Sequence, residues 1–137
     1  MGKINVGRLI LGAVAAGIVM NGFDYVSNEI IMKADYAAVF AARNIDPAAM
    51  SIATMVVLDF AMALLLVFTY AAIRTRFGAG PKTALVAGLL VALIGNVVAA
   101  YFAGMGFFPW HLYLKAAALS TTNTVVCAYV GGAIYSE

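Results

Sequence analysis

The sequence predicts an all-α integral membrane protein, a bundle of four transmembrane helices with a short interfacial helix between the first and the second. Three observations carry this. Hydrophobic residues make up 65% of the chain and charged residues 10%, with a mean hydropathy of +1.00, whereas an ordinary soluble domain is roughly half apolar and a quarter charged. Apolar runs of the ~20 residues needed to cross a ~30 Å hydrocarbon core occur four times, at Leu9–Val26, Ala48–Ile73, Thr83–Phe102 and Leu112–Ile134. Each of the three prolines stands where a span should begin, Pro47 after Asp46, Pro81 after Gly80 and Pro109 before Trp110, a first-turn position where the missing N–H costs nothing. A single membrane domain follows, with helices at about 7–30, 47–73, 81–103 and 109–135.

The first span opens behind Lys3 and Arg8, as a signal peptide would. Its apolar pattern continues to Val26, so it reads as a retained helix. Between Lys33 and Pro47, the stretch Ala34–Arg43 is made of helix formers with Tyr36, Val39 and Phe40 on one side. It reads either as a helix lying flat on the outer surface or as an outward extension of the first span. The second span is the bulkiest, with Val56, Val57, Leu58, Leu64, Leu65 and Leu66, and should face lipid or another subunit. The third and fourth spans carry ladders of small residues, Ala84, Gly88, Ala92, Asn96, Ala100 and Gly104, and Ala116, Ser120, Thr124, Ala128 and Gly132. These should pack closely together, because in lipid small faces and interhelical hydrogen bonds drive association. A shorter version, Ala13, Gly17 and Asn21, lies on the first span.

Positive charge sets the orientation. Lys3 and Arg8 share a side with Arg74, Arg76 and Lys82, where no acid appears, while Lys33, Arg43 and Lys115 on the other side are diluted by Glu29, Asp35 and Asp46. Both termini are expected in the cytoplasm, and the aromatic residues Tyr36, Phe107, Trp110 and Tyr113 near the outer interface.

Counting along each span from its cytoplasmic charge (Arg8, Arg74, Lys82 and Glu137) places Asp24, Asp59, Asn96 and Asn123 about 14 to 16 residues in, roughly 21 to 24 Å deep. They form one polar layer in the outer half of the membrane. Asn21 and Asn28 share a helix face with Asp24 by spacing, Ser120, Thr121 and Thr122 add hydroxyls, and Lys115 lies two turns outward of Asn123. Carboxylates in a membrane are costly unless protonated, paired or hydrated. One reading makes the layer a water-accessible pocket in which Asp24 and Asp59 bind a proton or a cation. The other makes it interhelical glue, with Asp59 paired to Lys115 and Asp24 held by hydroxyls or water.

The connection Arg74–Thr83 lacks the spacing of a phosphate loop and serves as a positive anchor and tight turn; Arg74, Arg76 and Lys82 could hold an anionic lipid head group. One histidine and one cysteine leave too few ligands for a zinc, haem or iron–sulfur site, and the net charge of +2 lacks the basic stripe that nucleic acid requires. No catalytic residue, metal or cofactor is expected. His111 reads as an interfacial residue and Cys127 as a small apolar one.

The segments YAAIRTRFGAGPKTAL (residues 70–85), INVGRLILGAVAAG (4–17) and NGFDYVSNE (21–29) resemble a family of small four-helix bacterial inner-membrane proteins to which no activity is assigned. The resemblance spans most of the chain and implies the bacterial inner membrane and the four-helix fold. Members of that family usually carry Glu in place of Asp24 and often Pro in place of Thr75, which implies a carboxylate requirement at position 24.

Three classes of function follow. The sequence favours a structural or accessory subunit, homo-oligomeric or within a larger membrane complex, whose small-residue ladders serve docking. The alternative is a proton- or cation-coupled small-solute transporter or channel using Asp24 and Asp59. An enzyme ranks last, since no nucleophile with an adjacent base can be assembled.

Overall fold

The computed structural model describes residues 4–135 of the chain, so Lys3 and Glu137, used above to set orientation and depth, lie outside the described residues. Helix α1 (Val6–Val26) runs into a π-helical turn (Ser27–Ile31), followed by α2 (Lys33–Ala42), a 3-10 turn (Pro47–Ala49), α3 (Ile52–Phe77), α4 (Pro81–Gly104) and α5 (Trp110–Tyr135). Four segments, Val6–Ile31, Ile52–Phe77, Pro81–Gly104 and Trp110–Tyr135, are long and apolar enough to cross a membrane. This is a multi-pass membrane bundle. Leu65, Val57, Leu93 and Val97 point away from the protein, as side chains facing lipid do.

Helix ends follow local chemistry more than hydropathy. Asn5 caps α1 by accepting the Arg8 N–H at 3.1 Å. Met32, at φ −110 and ψ 5, ends the first span, so the following stretch is a separate helix rather than its outward extension. Pro47 opens only a single 3-10 turn, capped by Asp46. The second span starts five residues beyond the expected position, because Ser51 is extended and its hydroxyl accepts the Thr54 N–H at 3.2 Å. It ends at Phe77, where Gly78 takes φ +83 and donates to the Arg74 carbonyl. Pro81 does occupy the first turn of α4, and Pro109 precedes α5 and accepts the Leu112 and Tyr113 N–H groups.

Around the bundle the order is α1, α3, α4, α5, with α3 and α5 also meeting across the middle; the α4–α5 contact is the most extensive. Small residues make it so. A Cβ on Gly88 would lie 2.9 Å from the Val125 Cα, and one on Gly12 would lie 2.8 Å from the Gly131 carbonyl oxygen, so α4–α5 and α1–α5 approach almost backbone to backbone. Ala84, Ala92 and Ala128 are buried as well, and Gly132 is buried against the Tyr70 ring of α3. Much of each ladder is thus consumed within the chain. Ser120 and Gly104 depart from the expectation: Ser120 is exposed and bonded to Asn96 rather than packed, and Gly104 is exposed, with nothing within 4 Å of where a Cβ would stand. The expectation that the second span is the more exposed also needs correction: α3 and α4 each bury 17% of their most apolar window, since α4 turns its large aliphatic residues outward.

At the end of the bundle where the described residues begin and end, Tyr135 gathers Asn5, Arg74 and Tyr70. Its hydroxyl accepts from the Asn5 N–H, the Arg74 guanidinium stacks 5.1 Å above its ring, and Tyr70 meets it edge on. At the opposite end α2 is tied down twice. Asp35 pairs with Lys115 of α5 at 2.7 Å, and Arg43 donates to the Gly106 carbonyl while lying 5.4 Å over the Phe107 ring. The strap therefore reaches from the first span to the α4–α5 turn.

A polar cavity beneath the strap

Asp24 lies on the face of α1 that meets α3 and α5. Asn123 of α5, only 3% exposed, donates to the Asp24 carboxylate at 2.8 Å and to the Met20 carbonyl at 3.4 Å, and accepts from the Cys127 thiol at 3.2 Å. The Asp59 carboxyl of α3 lines the same space as that of Asp24. A second polar group forms where α4 meets α5. There Asn96 donates to the Thr121 hydroxyl at 2.9 Å and accepts from Ser120 at 3.0 Å, and Tyr113 donates to the Asn96 carbonyl at 3.2 Å.

Both groups line one cavity of about 410 Å³, whose wall includes Asp24, Asp59, Asn96 and Asn123 together. Apolar side chains supply much of the remaining wall, among them Met20, Met62, Val91 and Leu112, with Tyr36, Phe108 and Tyr113 toward the α2 end. Two carboxyls on the wall of one such space repel unless a proton or a cation joins them. The arrangement can accept positive charge and offers none.

Four residues expected in the layer are elsewhere. Lys115 is bound to Asp35 and the Ile31 carbonyl, which corrects its expected pairing with Asp59. Asn21 turns back to its own helix and donates to the Gly17 carbonyl at 2.9 Å. Asn28 lies within the π turn, one turn outward of Asp24, and is exposed. It lies instead on a separate groove of about 490 Å³ between the strap and the start of α3. Thr122 is exposed and donates to the Ala118 carbonyl, because successive helix positions point about 100° apart and only Ser120, Thr121 and Asn123 face other helices. The candidate head-group residues stay at the other end, Arg76 and Lys82 exposed and Arg74 engaged with Tyr135.

Sequence reasoning missed Tyr36 as a site residue. It is half-buried and forms part of the wall of both the cavity and the outer groove. Nothing in the local sequence signals this, because it depends on the turn at Met32 that lays α2 across the bundle. Burial raises the Tyr36 phenol above its ordinary 10.0, and the Asp24 and Asp35 carboxylates add to the effect. With the folded value raised, the stabilisation from neutral Tyr36 is complete below pH 10 and is lost as pH rises through the raised value. An ultraviolet titration should show one tyrosine ionising above pH 10 that Tyr36→Phe removes. Loss of an ordinary phenol instead would detach Tyr36 from the cavity.

Comparison of the chain with protein-family models, with curated proteins and with solved structures finds no match.

Proposed function

We propose that this small multi-pass protein binds a cation in competition with protons in the cavity beneath α2, and that such binding serves solute movement across a bacterial inner membrane. The single observation that carries this reading is the placement of Asp24, Asp59, Asn96 and Asn123, from all four spans, on the wall of one cavity. Interhelical glue needs hydrogen-bonded pairs but no space between the helices, and two carboxyls on one wall are a poor choice for it. Ala84, Gly88, Ala92, Thr124, Ala128 and Gly132 of the small-residue ladders, which would favour a docking subunit, are already buried against the chain's own helices. Cytoplasmic termini fit the charge pattern. Arg76 and Lys82 are exposed at the Tyr135 end, whereas Lys33 and Lys115 at the α2 end pair with Glu29 and Asp35.

Proteoliposomes loaded with a pH-sensitive dye test the reading. An inward gradient of sodium, potassium or tetramethylammonium is expected to drive protons outward for at least one of them, and Asp59→Asn to slow that flux by about tenfold or more, as loss of a charge-assisted contact does. A signal equal to that of protein-free liposomes with every cation would overturn it.

A further inference from the structure

Resting on that reading, we infer that the cavity takes a small organic ammonium ion, a protonated amine carrying an apolar body, rather than an inorganic cation. Size is the first argument. About 410 Å³ lies within the range of sites that enclose small organic molecules, and far exceeds what a dehydrated metal ion occupies. Charge is the second. Among the described residues the wall holds two carboxyls and no Lys, Arg or His, since Lys115, the nearest candidate by sequence depth, is held at Asp35. Anions are therefore disfavoured and a positive group is drawn to the wall that carries Asp24, bonded to Asn123, and Asp59.

The third argument is the mixed character of the wall. Beside the two carboxyls the lining includes Met62, Val91, Leu112 and Phe108, groups that cannot solvate a bare ion. An alkyl or aryl body would bury against them while its ammonium N–H groups donate to the carboxyls, so one molecule satisfies both kinds of surface. Tyr36, Phe108 and Tyr113 add ring faces, which attract organic cations. Such a ligand would be recognised by shape as well as by charge.

Gly95 provides a test that leaves the carboxyls untouched. It lies on the cavity wall, and a Cβ built on it meets nothing within 4 Å. Gly95 is exposed at the open side of the cavity, so Gly95→Leu should obstruct that opening without disturbing the bundle, and it replaces a poor helix former with a good one. Binding is read as the rise in melting temperature of the purified full chain in detergent, with phenethylammonium, neutral 2-phenylethanol of similar shape, and sodium as probes. Phenethylammonium should bind at least about tenfold more tightly than either other probe, a factor corresponding to one lost charge contact. Gly95→Leu should melt no lower than the wild type and lose that response, and Asp59→Asn should weaken it by a similar factor. Stabilisation by sodium that phenethylammonium does not exceed would overturn the organic ligand while leaving the cation-binding reading intact. No response to any cation, together with silent liposomes, would overturn both. A Gly95→Leu variant that binds phenethylammonium as the wild type does would remove the cavity as the site.

Discussion

Gly88→Leu is expected to pull α4 away from α5 and to destabilise the bundle by about 3 kcal/mol, at the upper end of what overpacking costs. The reason is the nature of the neighbour. A Cβ at position 88 would lie 2.9 Å from the Val125 Cα and 3.1 Å from the Ala128 Cβ, and a main-chain atom cannot rotate aside as the tip of a long side chain can. Relief therefore requires the helices to separate along the seam that holds Ala84, Ala92 and Ala128, forfeiting dispersion contacts that lipid only partly replaces. Gly22→Leu is the control. It sits on α1 with nothing within 4 Å of a built Cβ, so the same substitution should be neutral or stabilising by about 0.5 to 1 kcal/mol through helix propensity. Denaturant unfolding in mixed micelles compares the two. Equal stability would mean that the small-residue faces are not the packing seams.

That seam could be read from sequence because spacing of four residues and smallness are both one-dimensional properties. The number of spans was readable for the same reason, since the thickness of the hydrocarbon core sets their length. The depth of Asp24, Asp59, Asn96 and Asn123 also follows from counting at a fixed rise per residue. Rotation does not. Whether a residue at the right depth faces the centre depends on the phase of its helix, and that phase shifts where the backbone departs from 3.6 residues per turn. Asn28, four residues on from Asp24, stands on the outer groove instead of the cavity wall. Thr122, at nearly the depth of Asn123, faces the other way. Termini depended on caps rather than prolines where the two competed, as Ser51 prevailing over Pro47 shows. Tyr36 and the Asp35–Lys115 pair are long-range outcomes of where α2 lies, with no periodicity to announce them.

Asn123→Leu is expected to cost about 2 kcal/mol, near the upper bound for an interhelical hydrogen bond in a membrane protein. The loss exceeds that of one bond because Asp24 keeps its carboxyl in a half-buried setting without its 2.8 Å donor, and the Cys127 thiol loses its acceptor. Leucine at both positions removes the orphaned carboxyl as well. Where a polar pair is retained for function, replacing both partners by apolar residues of similar size is neutral or stabilising, while removing one is destabilising. The double variant Asp24→Leu/Asn123→Leu should therefore recover most of the stability lost in Asn123→Leu, with a coupling energy of about 1 to 2 kcal/mol in the double-mutant cycle. It should also have lost cation binding. Recovery without binding would separate the two roles of the layer: α1 and α5 hold together through the close approach of Gly12 to Gly131, and the acid and amide are retained for what enters the cavity. If the double variant were instead less stable than either single one, the hydrogen bond between Asp24 and Asn123 would be what joins these helices. The cavity would then be a by-product of packing.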